Sequence, residues 1–345
     1  MAARTVRRHN LAVIGVVGAG AMGAALAIVH ARAGLRTALL GTRFDDATIE
    51  ECRAGRAHPA LGISLDPTID CRPHGKWGAV LRNTERVVIG VSSDGLADVV
   101  AECAPLSKTN AVWAIATKGW DGDSLRLPSD VAASVLGSRA RVAVFGGPAL
   151  APELVAGAPT AMVVAADELE VAEGVAATLR AAGVRAAPTD DVVGVEIGAA
   201  YKNVTAIAVG MCEGLSERLP ESVYIHRFAN ARAATFAQGL QDMCALVEAL
   251  GGRTGTIIGL AGAGDLYVTC LGGRNGNFGR LLGSGQTPAQ AQATIGSTVE
   301  GIANTSAAIA VADRVGVGVP AALAVASVLS GERSPEAAIA GLLAP

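Results

Sequence analysis

Lysine is almost missing from this sequence. Of 28 basic residues in 345, only four are lysines: Lys76, Lys108, Lys118 and Lys202. Arginine, which carries the rest, cannot release its proton in a protein, whereas lysine can be tuned to do so. Codon bias explains the ratio equally well, so scarcity singles out four side chains without assigning them a task. Cysteine is sparse too: six residues, at positions 52, 71, 103, 212, 244 and 270, with no C-x-x-C pair. The five histidines are equally dispersed. That scatter argues against a metal site and a disulfide framework, and for reduced, mostly buried thiols in a cytoplasmic protein. A formal charge of −3 leaves no basic surplus for nucleic acid or for a polybasic membrane surface. Internal repeats, linkers and low-complexity tracts are absent, and past the N-terminal region no segment reads as both long and apolar enough to span a bilayer. What remains is a chain that is 51% hydrophobic, enough for two domains at about 150 residues each.

The stretch "NLAVIGVVGAGAMGAALAIVHARAG" admits two incompatible readings. No charge occurs from Leu11 to Val29, and Arg7-Arg8 lie just upstream, as in a membrane span or a twin-arginine export signal. Glycine spacing favours the other reading. Gly18, Gly20 and Gly23 form G-x-G-x-x-G after the β-branched run Val13–Val17, and a strand buried on both faces reads as such a run. Gly18 allows a tight turn, Gly20 lets the backbone approach a pyrophosphate, and Gly23 lets the next helix pack closely. The helix N-terminus then offers free N–H groups to the phosphates. Four glycines within Gly15–Gly23 would weaken a membrane helix. A second strand at Leu35–Leu40 completes strand–turn–helix–strand in about 30 residues, the context that gives the motif meaning.

Asp45–Ala54 reads as a helix and "GRAHPALG" as a loop. Apolar runs follow at Val87–Val91, Ala111–Ala116, Val142–Phe145 and Thr160–Ala165, with Val184–Ala187 as the last strand. Their alternation with helical segments is that of a doubly wound parallel sheet. From about Asp190 the character changes to long, Ala-rich stretches with apolar residues at helical spacing, including Thr305–Val311 and Ala321–Leu329. The expected architecture is α/β: an N-terminal Rossmann-type doubly wound sheet in residues 1–189 and a C-terminal all-helical domain in residues 190–345, with the active site between them.

In an NAD site an acidic residue closes the second strand and holds the adenosine ribose. Here the strand ends Leu40-Gly41-Thr42-Arg43, with no carboxylate before Asp45. Arg43 could receive the 2′-phosphate of NADP or be a solvated surface arginine; the expectation is NADP preferred, NAD possible. Lys118, in "AIATKGW", follows a strand, where ligands bind in such sheets. Lys202 lies within a helix whose one-turn neighbours Val195, Gly198, Ala199, Ala206 and Val209 are apolar or small. It either snorkels along that stripe to water or points into a cleft. "GLAGAGDLYVTCLGGRNGNFG" adds Asp265, Thr269, Arg274 and Asn275, a polar set suited to a phosphorylated substrate.

In order along the chain, "GAGAMGAALA", "TKGW", "GGPALAPELVAGAPTAMVV", "DVVGVEIGAAYKNVTAIAVG", "NARAATF", "GLAGAGDLYVTC", "GGRNGNFGRLLGSG" and "VEGIANT" resemble the NAD(P)-dependent sn-glycerol-3-phosphate dehydrogenase family. "GTRFDD", "GRAHPALG" and "GVSSDG" are similar to its archaeal-type branch. The resemblance implies that Lys202 is the catalytic lysine, Lys118 the second active-site lysine and Asp265 their carboxylate partner. It places Gly147, Asn203, Thr269, Gly273, Arg274 and Asn275, with the two lysines and Asp265, around the substrate. Gly18, Gly20, Ala21, Met22, Gly23, Thr42, Arg43, Lys118, Ala151, Arg274 and Glu300 fall at cofactor positions. It further implies dihydroxyacetone phosphate and glycerol 3-phosphate as substrate pair, a homodimer, and supply of glycerol phosphate to phospholipid synthesis.

Three positions depart from the family pattern: Ala149 stands where a hydroxyl residue is frequent, Gly276 where many members are basic, and Tyr201 where a smaller or aliphatic residue is common. Ala149 keeps open a reductase of a related phosphorylated or phosphonate ketone. A β-hydroxyacid or ketopantoate-type dehydrogenase shares the two-domain layout, but spaces its Lys and Asn by about a helical turn, whereas Lys202 and Asn203 are adjacent. A nucleotide sensor without turnover would have no need of the lysine pair.

Overall fold

The structure, a computed structural model, describes residues 13–137, 140–219 and 228–344; Arg7, Arg8 and Leu11 lie outside the described residues. The first half alternates strand and helix. It runs β1 (Val13–Val17), α1 (Ala21–Arg32), β2 (Arg36–Leu40), α2 (Asp46–Arg53), β3 (Asp70–Arg72), α3 (Gly78–Leu81) and β4 (Thr84–Ile89). It continues with α4 (Leu96–Cys103), β5 (Val112–Ile115), α5 (Pro128–Leu136), β6 (Arg141–Gly146), α6 (Ala151–Ala156), β7 (Ala161–Ala165), α7 (Leu169–Ala181) and β8 (Arg185–Thr189). The eight strands form one sheet in the order β3-β2-β1-β4-β5-β6-β7-β8. Val16, Val88 and Ala114 face one core, against α1 and α7, while Val17, Ile89 and Ile115 face a second on the other side. Burial on both faces is why these strands read as unbroken apolar runs.

Two features of the sheet differ from the sequence expectation. β3 was not legible: Asp70-Cys71-Arg72 is a three-residue polar strand on the outer edge of β2, and short charged edges are how sheets avoid further pairing. The sheet is also not wholly parallel, since β7 runs antiparallel to β6 and carries β8 with it. The connecting helix α6 has six residues, a rise of about 9 Å against about 17 Å for a five-residue strand. It ends on Gly157 in the left-handed conformation and turns back before it could return the chain to the start of the sheet.

Beyond Thr189 the described residues hold no strand. α8 (Val192–Glu217) is surrounded by α9 (Ala229–Ala249), α10 (Thr254–Ile257), α11 (Asp265–Cys270), α12 (Arg274–Gly283), α14 (Glu300–Val315), α15 (Pro320–Leu329) and α16 (Pro335–Leu342), and α13 (Pro288–Ile295) packs on α12. One expectation needs correcting here. By length and hydropathy α8 could cross a membrane, yet 89% of its apolar window is buried inside this fold. Its apolar character serves an all-round contact. Backbones meet directly along the α8–α12 seam, where a Cβ on Gly214 would lie 1.9 Å from the Arg280 carbonyl oxygen and one on Gly279 2.0 Å from that of Ile207. Only glycine allows that approach.

Candidate active site

The glycine turn has the geometry its spacing demands. Gly18 has φ +101°, and a Cβ on Gly23 would lie 1.9 Å from the Gly18 carbonyl oxygen. Gly20 precedes α1 without a side-chain cap, and a Cβ there would meet nothing within 4 Å. Open space above uncapped N–H groups fits a pyrophosphate. Ala21 and Met22 open α1, half-buried beside that space. Sequence reasoning missed two braces of the turn. The Asp45 carboxylate accepts from the backbone of Ala19 (3.1 Å) and from the backbone and hydroxyl of Thr42 (2.8 and 2.7 Å). His58 accepts from the Ala60 amide on Nδ1, so its Nε2–H donates to the Ala19 carbonyl at 2.9 Å. Asp45 is thus a structural brace within this turn. Arg43 stands exposed, 4.9 Å over the Phe44 ring and 3.9 Å from Asp98, on a pocket shared with Thr42, Trp77 and Ser92.

Lys118 lies three residues beyond β5 and Lys202 at the middle of α8. One carboxylate joins them: Asp265 accepts from Lys118 Nζ at 2.7 Å on Oδ2 and from Lys202 Nζ at 2.6 Å on Oδ1. The Lys202 side chain is 10% exposed and that of Asp265 2%, so snorkelling is excluded. Asp265 is aimed by the backbone before it. A π-type turn, Leu260–Gly264, presses on α8 at Gly198, where a Cβ would lie 2.5 Å from the Ala261 carbonyl oxygen.

The charges do not balance, since two ammonium groups share one carboxylate. Burial pushes the Asp265 carboxyl up, but the two ammonium groups outweigh it and hold it below its usual range. Burial lowers Lys118 as well, yet Asp265, with smaller contributions from Lys202 and Glu300, more than compensates and keeps it above the ordinary lysine value. Lys202 goes the other way: burial, then the Lys118 ammonium, pull it down to about 8 against Asp265. The more enclosed lysine is the one whose proton is more easily removed.

Beside this triad runs an amide network. Asn275 donates to Asn203 Oδ1 (2.9 Å) and accepts from the Gly301 amide (2.9 Å); Asn203 donates to Glu300 (3.2 Å). One N–H of Asn275 is therefore committed to Asn203, which leaves its second N–H as the donor. Arg274 follows Gly273 at the start of α12, with its guanidinium 3.6 Å from Glu300. Thr269 donates to its own helix at the Asp265 carbonyl (2.6 Å). Gly147, φ +96°, backs onto β7, and the buried Ala151 opens α6, where only its main chain can face a ligand. Ala149 is also buried. Asn304, unremarked in the sequence, donates to the Ala200 carbonyl at 3.2 Å, and a Cβ on Gly119 would lie 2.7 Å from its Oδ1.

A dinucleotide turn at one end of the sheet, and a buried lysine from the helical half joined through Asp265 to a lysine just past the end of β5, are the layout of a Rossmann-type oxidoreductase. The comparisons narrow the class. Residues 13–172 and 191–340 match the N-terminal and C-terminal models of the NAD-dependent glycerol-3-phosphate dehydrogenase family. A glycerol-3-phosphate dehydrogenase [NAD(P)+] of Stenotrophomonas maltophilia is 36% identical over 335 residues, 96% of this chain and 94% of that one. The crystal structure of glycerol-3-phosphate dehydrogenase from Coxiella burnetii superposes with a TM-score of 0.86 at 32% identity, over 97% of this chain and 99% of that one. The chain belongs to the NAD-dependent glycerol-3-phosphate dehydrogenase family. A ketopantoate reductase from Ralstonia eutropha shares the fold alone, with a TM-score of 0.57 at 15% identity over 95% of this chain and 99% of that one.

Proposed function

We propose that the protein interconverts dihydroxyacetone phosphate and sn-glycerol 3-phosphate with NAD(P)H or NAD(P)+, using Lys202 as the acid–base group. The observation that carries this reading is the Lys118–Asp265–Lys202 triad, buried between the halves with one lysine lowered to about 8. When bound, the nicotinamide supplies the hydride chemistry. In reduction Lys202 donates a proton to the carbonyl oxygen of the ketone; in oxidation its neutral amine removes the hydroxyl proton. Lys118 keeps its charge and stabilises the oxygen as it becomes negative. Asp265 orients both. Arg274, at the first turn of α12, offers a planar fork to the phosphate, with α12's open N–H groups behind it.

The nucleotide half is taken as residues 1–189 and the substrate half as 190–345, working as a cytoplasmic homodimer that feeds phospholipid synthesis. The test is NADPH absorbance with and without dihydroxyacetone phosphate, alongside a panel of other small ketones and their phosphates. Lys202→Arg keeps the charge but cannot exchange a proton, and acid–base catalysis contributes about 10²–10⁴-fold. Turnover falls by that order; a variant turning over near the native rate would overturn the assignment.

A further inference from the structure

Lys118 belongs by sequence to the nucleotide half, on the connection from β5 to α5, yet that connection is anchored mainly to the helical half. Trp120 and Leu127 are buried in the core around α8. Gly119 lies against Asn304, which itself bonds α8. The fourth anchor is polar. α5 begins at Pro128 after Leu127, whose side chain cannot cap it, so its first amides need a partner from elsewhere. Glu196, on α8 and only 5% exposed, supplies it. The Ser129 amide donates to Glu196 Oε1 at 2.8 Å and the Ser129 hydroxyl to Oε2 at 2.5 Å.

A serine or aspartate at position 127 would cap α5 locally without burying a carboxyl. Burying one is costly unless it is well bonded, and here the cost falls on the same helix that carries Lys202. What a local cap could not provide is a tie between the two elements that bear the lysines. We propose that Glu196 is a positioning residue: by capping α5 from α8 it fixes the Lys118 loop so that the Lys118 ammonium meets Asp265. The proposal deepens the acid–base reading of Lys202 and rests on it.

Asp130 on α5 and Asp167 before α7 also face Glu196. Burial pushes its carboxyl up to about 8; the Ser129 bonds oppose the rise, and the two carboxylates add to it. In either protonation state an oxygen remains to accept the Ser129 amide. Lys202 is faced by Lys118 and, from α11, by Asp265 and Cys270. Loosening the Lys118 loop removes like charge from beside Lys202, so Lys202 should then hold its proton to higher pH.

The experiment uses full-length protein with isotopically labelled lysine. Only four lysines are present, so the Lys202 ε-signal can be assigned by its loss in Lys202→Arg and titrated directly. Glu196→Ala should raise the titration midpoint by about 0.5–1 pH unit, Ser129→Ala should move it in the same direction by less, and Glu196→Gln, which keeps an acceptor, should stay within about 0.3. In turnover, kcat falls while KM for NADPH holds. Should Glu196→Ala fail to fold, Ser129→Ala and Glu196→Gln decide the matter. Variants that melt earlier while Lys202 titrates as in the native protein would reduce Glu196 to a structural stitch and overturn the proposal. Because the titration needs no substrate, failure of dihydroxyacetone phosphate to react would count against the substrate reading and leave the positioning role standing.

Discussion

Two substitutions in the triad should move stability in opposite directions. Lys202→Met removes the surplus cation and leaves Lys118 and Asp265 as a balanced pair at 2.7 Å. The fall of Lys202 from the ordinary 10.5 to about 8 corresponds to about 3 kcal/mol by which the folded protein disfavours that ammonium at neutral pH. That figure is already net of the charge attraction to Asp265; what methionine loses beyond it is the amine–carboxylate hydrogen bond itself, about 1 kcal/mol or more. The balance makes Lys202→Met as stable as the native protein or more so, by up to about 2 kcal/mol, while abolishing turnover. Asp265→Asn does the reverse. It strands two buried ammonium groups and should cost about 3–5 kcal/mol. The sign of the pH dependence follows from linkage. Lys202's folded pKa lies below its unfolded value, so the unfolded chain binds more protons between about 8 and 10.5, and stability rises with pH across that window. Asp265→Asn widens the window downward, so its deficit should shrink as pH rises from 7 to 10. Urea unfolding of the three proteins at pH 7 and pH 9.5, followed by circular dichroism, measures all of this. If Lys202→Met lost as much stability as Asp265→Asn, the site would hold no surplus charge and the origin assigned to the lowered lysine would be wrong.

The same lysine predicts opposite pH limbs for the two directions of reaction. Oxidation of glycerol 3-phosphate, which needs the neutral amine, should rise through pH of about 8, and ketone reduction, which needs the ammonium, should fall through it; kcat/KM profiles in both directions check this, and a pair of limbs that move together would refute it. Arg43, exposed over Phe44 and held only loosely by Asp98, is free to turn to a 2′-phosphate. Arg43→Ala should raise KM for NADPH about tenfold, some 1.4 kcal/mol, and leave KM for NADH within about twofold, as steady-state assays with both cofactors would show.

The glycine turn was legible in the sequence because its spacing expresses backbone requirements, a positive φ at Gly18 and direct contact at Gly23, that hold before any tertiary contact forms. The apolar strands were legible for a similar reason: burial on both faces leaves no polar position. Direction was not, since an apolar run such as Ala161–Ala165 reads the same either way, and the reversal at β7 came from a short α6. The Asp-Cys-Arg strand carries no apolar signal at all. Lys202 marks the limit of periodicity. Its apolar stripe is equally compatible with snorkelling and with a cleft, and what decides is Asp265, 63 positions away, together with Lys118, 147 positions from Asp265. Family resemblance named those partners where spacing could not. Glu196 and Asn304 had no signal of their own beyond being polar within largely apolar helices, a weak sign that becomes informative only once their partners are known.

A surplus positive charge in a buried site would be a defect in a protein selected for stability alone, and its place between the two halves gives it a purpose. A phosphorylated ketone arrives as a dianion, and its carbonyl oxygen gains negative charge as it is reduced. An already neutral site would have to be repolarised to accept it, whereas the triad, with Lys118 fixed by Asp265, is positive before anything binds. Arg274 differs in kind: 55% exposed at its side chain and 3.6 Å from Glu300, it is held loosely enough to exchange that carboxylate for a phosphate. The roles proposed above therefore separate two electrostatic tasks. On the proposed reading a rigid, overcharged pair would act on the reacting oxygen, and an exposed, compensated arginine would take the anion that a phosphorylated substrate carries. This separation agrees with the geometry: the buried lysines are tied to Asp265 by hydrogen bonds at 2.6–2.7 Å, while the arginine stands at the start of α12 in a longer ion pair, 3.6 Å from Glu300.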